Sequence, residues 1–195
     1  MQVCAGMAIH RDTAPSDASP ATPLRIEVPG QRVPLEPRVP ARVRALKRHI
    51  IESLRDLAGA RRPERLIQKH AAEPSGAAAN GVRAACGHCG GSCCMAGGTH
   101  AFIDERTMAR VLAEHPGLSA RGLLAAYVAA VAPLAYRGSC VFHGPTGCGL
   151  ARELRAELCN SYYCNGLKEL LNAKPQSGQR VTIAAHSGEE HTVII

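Results

Sequence analysis

The chain of 195 residues contains no tryptophan, two phenylalanines and four tyrosines. Because aromatic side chains bury the largest area per residue, their scarcity limits the hydrophobic core that a chain of this length can form. The length fits one domain with a flexible extension rather than two full-sized domains. A core this thin predicts additional cross-links, and nine cysteines are available to supply them.

The sequence also lacks any apolar run of the ~18 to 20 residues that span a bilayer. The longest apolar stretch, residues 123–136, is shorter and contains Pro133. The beginning, MQVCAGMAIHRD, has no basic segment before an apolar one and no small-residue cleavage site, so we expect no secretory signal and no membrane partner. A cytoplasmic location follows, where thiols stay reduced and metal binding or redox chemistry explains cysteines better than disulfides do. Cys4 is interpreted as a free thiol in the N-terminal tail.

Composition divides the chain into four segments. Residues 1–40, rich in proline and alanine, predict an extended and disordered tail. Residues 41–79 predict a basic helical segment that packs on the core, residues 80–174 a cysteine-cluster metal-binding domain, and residues 175–195 a C-terminal hairpin or extension. The fold class is therefore mainly α with short β segments: a small helical domain stapled by metal, with a C-terminal β-hairpin.

The helices are predicted from apolar spacing and from capping residues. Apolar residues at intervals of three and four define the first helix: Val43, Leu46, Ile50, Leu54 and Leu57. Gly59 ends this helix, and a second one runs from Pro63 toward Ala79. Asp104 and Ser119 predict the N-caps of two more. Residues 80–100 predict a glycine-rich loop, residues 151–158 and 167–172 short helices, and residues 180–185 and 192–195 the hairpin strands.

Eight cysteines form two groups along the sequence. The first group is a C-x2-C-x3-C-C cluster of Cys86, Cys89, Cys93 and Cys94, and the second, more widely spaced, is Cys140, Cys148, Cys159 and Cys164. A two-residue gap lets two sulfurs turn onto one metal, and the intervening glycines allow the tight backbone that this needs. Eight thiolates would satisfy two tetrahedral sites, or one iron–sulfur cluster and one zinc ion. Because neighbouring side chains point apart in extended chain, Cys93 and Cys94 could serve different metals or opposite sides of one site.

The choice between a zinc ion and an iron–sulfur cluster stays open, as does the number of centres, one or two. Cys140 or Cys148 could instead be a packing thiol, since free cysteine is often buried. The histidines nearest to the cysteines, His88, His100 and His143, are alternative ligands, donors to the ligands, or solvated loop residues.

Over residues 80–165 the ordered cysteine frame resembles the YkgJ-like family of zinc- or iron-chelating cysteine-cluster proteins. The family pattern has a leading helix, the cysteine loop, a short strand and helix, Cys-x-Phe, a downstream cysteine, and a closing Arg-Pro-x-x-Cys-Arg-x-Tyr-x-Cys segment. This chain continues with Cys140-Val-Phe142 and Gly147-Cys148, and it closes with Arg155-Ala-Glu-Leu-Cys159-Asn-Ser-Tyr162-Tyr163-Cys164. It departs from the pattern at Ala156 and at Asn160.

The resemblance implies metal chelation by the eight cysteines and a role for Arg155 in offsetting thiolate charge. A flagellin lysine methylase carries a similar cluster, which implies the alternative of an iron–sulfur enzyme for methyl or redox transfer. No catalytic residue is assigned, because no nucleophile and base can be paired from the sequence.

The net charge of +7 lies almost entirely in residues 32–69, which hold 11 basic and 4 acidic side chains. Arg44, Arg48 and Arg55 share one flank of the first helix. A nucleic-acid-binding module is one interpretation. We favour a solvated helix face with Arg48–Glu52 and Glu52–Arg55 pairs, since no aromatic residues interleave for base stacking. The expected partners are thus a metal ion and, beyond it, a protein or, as the less favoured choice, nucleic acid.

Overall fold

The computed structural model describes residues 22–67, 72–186 and 188–195. Within these residues the chain forms six α-helices. The helices are α1 (Pro40–Gly59), α2 (Gly76–Cys89), α3 (Glu105–Glu114), α4 (Ala120–Ala129), α5 (Glu157–Ser161) and α6 (Asn165–Asn172). The strands are β1 (Leu24–Val28), β2 (Leu35–Pro37), β3 (Leu134–Tyr136), β4 (His143–Gly144), β5 (Gly147–Cys148), β6 (Arg180–Ala185) and β7 (Glu190–Ile194). Short 3₁₀ turns lie at Pro63–Leu66, Ser92–Ala96 and Arg152–Leu154. The fold is mainly α with short β segments, as predicted.

Local signals place the helices of the central region correctly. The Asp104 side chain accepts a hydrogen bond from the Thr107 backbone N–H at 2.9 Å, so it caps α3. Ser119 caps α4 by accepting from the Gly122 N–H at 3.1 Å. Each cap satisfies one of the backbone donors that the first turn of a helix leaves without a helical acceptor. Within the part described, none of the helices combines the length and the apolar character needed to cross a membrane.

The second predicted helix is wrong in its position. Residues 63–66 form only a 3₁₀ turn, and α2 begins at Gly76 and continues to Cys89, through much of the predicted loop. Gly81 explains why a helix survives there despite its glycines: a Cβ at this position would lie 2.8 Å from Leu170, so the glycine lets α2 pack closely on α6. Likewise, the helix predicted at residues 151–158 is a 3₁₀ turn followed by α5.

The predicted disorder of residues 1–40 is wrong for the part that the structure describes. Strand β1 pairs in parallel with β6, with Ile26 opposite Ile183, and Ile26 and Val28 are both 1% exposed. Strand β2 pairs antiparallel with β3. Alternating apolar residues give β1 one buried face, and the prolines lie outside it. Residues 1–21, including Cys4, lie outside the described residues.

The predicted C-terminal hairpin is confirmed: β6 and β7 pair antiparallel, and β1 adds a third strand on the other side of β6. Apolar side chains then gather in two clusters. The first core joins α1, α3 and α4 with the segments around Cys140 and Leu150. The second core joins β1, β6, α2 and α6. Two small cores suit this chain, because few of its residues have the large aromatic side chains that fill a single large core.

At the edge of the first core, two buried side chains donate hydrogen bonds to the backbone carbonyls of residues 153–155. Arg110, 1% exposed, donates to the backbone carbonyls of Glu153 at 2.7 Å and Arg155 at 2.6 Å. The Tyr127 hydroxyl donates to the Leu154 carbonyl at 2.7 Å. These bonds satisfy the carbonyls of the segment that lies between Cys148 and Cys159, and so they fix where that segment sits.

Candidate metal centre

The first two cysteines lie on the last turn of α2 rather than in a loop. Cys86 and Cys89 are three residues apart, so their side chains share one face of the helix. Gly90 and Gly91 follow with φ of +65° and +72°, a left-handed conformation that ends the helix and reverses the chain. The reversal lets the Ser92 backbone N–H approach the Cys89 sulfur at 3.4 Å, where it can stabilise a thiolate.

The next two cysteines, Cys93 and Cys94, lie in the 3₁₀ turn that follows. The Cys94 carbonyl accepts from the Cys140 backbone N–H at 2.8 Å and from the Ser139 hydroxyl at 3.3 Å. Gly97 completes the junction, because a Cβ there would lie 2.7 Å from the Cys140 Cβ. Two distant stretches of sequence are therefore in direct contact at the cysteines.

The remaining cysteines reach this junction from three further elements. Cys148 lies on β5, opposite His143 of β4. The Cys159 sulfur, in the middle of α5, lies 3.9 Å from the Ala101 carbonyl oxygen. Cys164 precedes α6 and packs against the second core, which also contains Cys89.

The structure groups the cysteines differently from the sequence. Cys94, Cys140 and Cys148 belong to the first core, whereas Cys89 and Cys164 belong to the second. Electrostatic effects between the thiols agree with this division. Cys86 is influenced by Cys89, Cys93 and Cys164, while Cys159 is influenced by Cys140, Cys148 and Cys93. Cys93 acts on thiols of both sets and therefore lies between them.

Burial and mutual repulsion keep most of these thiols protonated. Loss of hydration, followed by neighbouring thiolates, raises the pKa of Cys86 and of Cys140 to about 11 each. The same two causes raise the pKa of Cys159 to about 12. Cys93 is the exception: a hydrogen bond from the Cys94 thiol lowers its pKa to about 6, and the pKa of Cys94 rises in return. Within this pair, Cys93 is therefore the thiolate at neutral pH and Cys94 keeps its proton.

Two arginines bring positive charge to the thiols of the first core. Arg155 lowers the pKa of Cys159 and donates from Nε to the Leu150 carbonyl at 2.8 Å, which agrees with the role that the sequence resemblance implied. Arg42, which the sequence did not single out, lowers the pKa of Cys140. Its guanidinium donates to the carbonyls of Gly98 and Ser139, on either side of the cysteine junction. No signal in the sequence distinguishes Arg42 from the other arginines of α1.

The three histidines have other contacts. His143 is 2% exposed, its Nδ1 lies 2.5 Å from the Ser139 hydroxyl, and burial lowers its pKa, so it is a neutral imidazole. The His88 ring stacks on His191 with centroids 5.7 Å apart. The His100 Nδ1 accepts from the Phe102 N–H at 3.0 Å. His143 is directly connected to the cysteine junction, because its ring lies over Gly91 and its backbone N–H donates to the Cys140 carbonyl at 3.0 Å.

The thiols influence one another electrostatically, but their side chains are not arranged around a common point as metal ligands would be. Across residues 22–67, 72–186 and 188–195, no three His, Cys, Asp or Glu side chains stand in an arrangement that would hold a metal ion. All eight cysteines are free thiols. Binding a metal would therefore require the side chains to turn toward a common point.

The basic face of α1 is exposed. Arg44, Arg48 and Arg55 all lie on the surface, and the predicted pairs with Glu52 are absent from the described ion pairs. The solvated helix face is thus present without the pairs that were expected to support it.

Comparison of the chain with protein-family models, with curated proteins and with solved structures finds no match in any of the three. The similarity to the YkgJ-like cysteine-cluster family remains a prediction, carried by the order and spacing of the eight cysteines alone.

Proposed function

We propose that this chain binds metal, zinc or iron, through two centres of four cysteines each. Centre 1 consists of Cys86, Cys89, Cys93 and Cys164, and centre 2 consists of Cys94, Cys140, Cys148 and Cys159. Four thiolates are the ligand set of structural zinc sites and of common iron–sulfur clusters. The proposal requires a reducing compartment such as the cytoplasm, where the thiols stay available.

The observation that carries the proposal is the convergence of eight thiols from separate elements. Positions 86 and 164 are 78 residues apart, yet Cys86 is within electrostatic reach of Cys164. Thiols that serve only packing need not influence one another, whereas here Cys93 affects the pKa of thiols on both sides of the junction at which the Cys140 N–H donates to the Cys94 carbonyl. The eight thiols come from six segments of the chain, and as thiolates they would repel one another in the absence of a cation.

The raised pKa values define how metal would bind. A thiol ligates as the thiolate, so metal must displace the protons that Cys86, Cys140 and Cys159 hold at neutral pH. Binding therefore releases protons and strengthens as the pH rises. Arg42 and Arg155 offset part of the negative charge at centre 2. Two zinc ions with eight thiolates would change the formal charge of the chain from +7 to +3.

The test starts with the full chain purified without oxygen and analysed for zinc, iron and sulfide, with an absorption spectrum of the same sample. We expect either two zinc ions per chain in a colourless protein or iron and sulfide with a broad visible band. A chain that contains neither metal in stoichiometric amount, and that takes up neither zinc nor iron when these are added, would refute the proposal.

Two double variants separate the spatial grouping from the sequence grouping. Cys94→Ser with Cys148→Ser removes two ligands of centre 2, so half of the metal should remain. Cys86→Ser with Cys94→Ser removes one ligand from each centre, so both centres should be lost. If the cysteines ligate in the order of the sequence, the two results are exchanged. Cys4→Ser, which removes a thiol outside both centres, is the matched control and should keep all of the metal.

A further inference from the structure

A cavity lies beside the cysteine junction, on the side where α1 begins. It is lined by the end of β2, the first turn of α1, strand β3, and the segment around Gly98 and Thr99. Its volume is about 400 Å³, enough for a small organic molecule. The cavity is outside the two proposed metal centres, and none of the cysteines lines it.

The charged groups of the cavity are three arginines and one carboxylate. Arg137 donates to Glu36, so these two charges neutralise each other. Arg38 and Arg42 have no such partner: within the part of the chain that the structure describes, neither forms an ion pair with a carboxylate. The lining therefore carries two positive charges in excess.

The two guanidinium groups are held by the backbone rather than by acids. Arg38 donates to the Val131 carbonyl at 3.4 Å, and Arg42 donates to the carbonyls of Gly98 and Ser139. Carbonyl oxygens orient an arginine but do not cancel its charge. A guanidinium has several N–H donors in a planar fork, and these contacts use only some of them. The remaining donors suit the oxygens of a carboxylate or a phosphate.

The rest of the lining is apolar, with two hydroxyl groups. Val131, Ala135 and Val141 are buried residues of the cavity wall, and Tyr136 and Thr99 add hydroxyls. Apolar walls with a few polar groups at fixed positions are typical of small-molecule sites. A simple inorganic ion would leave these walls in contact with water, whereas an anion with an apolar body would cover them.

We propose that this cavity binds a small organic anion, whose carboxylate or phosphate group lies against Arg38 and Arg42 and whose apolar part covers the wall at Val131 and Val141. None of the cavity-lining residues is a cysteine, so we expect the anion to bind without metal. Arg42 nevertheless connects the cavity to the proposed centre 2, because it donates to the carbonyls of Gly98 and Ser139, next to Cys140.

The test is isothermal titration calorimetry on the full chain with three probes: inorganic phosphate, benzoate and phenyl phosphate. We expect saturable binding of benzoate or phenyl phosphate, tighter than that of inorganic phosphate, and whichever of the two binds more tightly identifies the charged group. Arg38→Gln should weaken this binding about tenfold, as expected for the loss of one charge-assisted contact. Arg38 is exposed and its side chain makes a single long hydrogen bond, so this variant should fold.

Arg44→Gln is the matched control, because it removes the same charge from an exposed position of α1 that does not line the cavity. It should leave the affinity unchanged. The proposal is overturned if neither organic anion binds, if Arg38→Gln binds as the unmodified chain does, or if Arg44→Gln weakens binding equally. Arg42→Lys provides a second variant: it keeps the charge and loses the planar fork, so weaker binding by a folded protein supports the site, and unchanged binding in both variants refutes it.

Discussion

Replacing Gly97 by alanine tests the contact that joins the two cysteine-bearing loops. Gly97 follows the 3₁₀ turn of Cys93 and Cys94, is buried, and has φ of −74°, which alanine adopts without strain. The effect of the substitution is therefore steric. A Cβ at this position would lie 2.7 Å from the Cys140 Cβ and 3.1 Å from its sulfur. Carbon atoms pack at roughly 3.5 to 4.0 Å, so Cys140 must move by the better part of an ångström.

The cost can be estimated from the surroundings of Cys140. This residue is 7% exposed and is held from both sides, because its N–H donates to Cys94 and its carbonyl accepts from His143. Cys140 cannot move away from the added methyl group without disturbing these two backbone hydrogen bonds. Insertion of one methyl group into such a site costs about 1–3 kcal/mol. A domain of this size has a total stability of about 5–15 kcal/mol, so the loss is readily measured.

Gly87 provides a control with the same chemical change and the opposite expected sign. It lies within α2 and is exposed, and a Cβ there would meet no atom within 4 Å. Alanine is the better helix former, so Gly87→Ala should stabilise the protein by about 0.5–1 kcal/mol. The two variants together separate the loss of room at one glycine from the general effect of replacing glycine.

The assay is urea unfolding of the full chain, followed by circular dichroism, with a chelator and a thiol reductant present. Under these conditions neither metal nor disulfides contribute to the free energy of unfolding. We expect the midpoint to fall for Gly97→Ala and to rise for Gly87→Ala, with similar slopes. Equal or raised stability of Gly97→Ala would refute the close contact between residues 97 and 140.

Two further predictions concern the buried polar groups of the first core. Arg110→Met removes the donor to the carbonyls of Glu153 and Arg155, and at about 1–3 kcal/mol for each unsatisfied carbonyl it should destabilise the chain by about 2–6 kcal/mol in the same urea assay. Arg106→Met, at an exposed position of the same helix, should change stability little, and equal effects of the two would contradict the assignment. Burial raises the pKa of Tyr127 above its ordinary value of 10, so the unfolded chain loses this proton first, and the stability that Tyr127 contributes is lost as the pH rises above about 10. Tyr127→Phe should therefore show a shallower alkaline loss of stability; an unchanged pH profile would show that the hydroxyl is hydrated.

Local signals in the sequence were sufficient for the helices of the first core. The N-caps at Asp104 and Ser119 and the apolar stripe of α1 act within a few residues, so their outcome does not depend on the remainder of the fold. Strand β1 was missed because its stability comes from β6, about 155 positions further along the chain, and because proline content dominated the prediction for residues 1–40. Helix α2 was missed because packing of Gly81 against Leu170 compensates for its low helix propensity.

The sequence names the candidate cysteines but not their arrangement. Local spacing with glycines singled out Cys86, Cys89, Cys93 and Cys94, and the resemblance in cysteine order added the other four. Which thiols become neighbours depends on how the two cores pack, and no local pattern encodes that. The same holds for Arg42, whose role follows from the position of residues 98 and 139 rather than from its own neighbours in sequence.

The neighbouring residues Cys93 and Cys94 lie where the chain passes from the second core to the first. Cys89 packs with the second core and Cys94 with the first, so only the stretch from Gly90 to Cys93 connects them at this point. The positive φ angles of Gly90 and Gly91 turn the chain here, so that Cys94 packs against the first core while Cys93 lies between the two sets of thiols. A metal in either centre would then cross-link its own core, and the peptide bond between residues 93 and 94 would hold the two centres together. A chain with so few aromatic residues would gain most from such an arrangement, because each small core would receive a metal cross-link and a single peptide bond would connect the two.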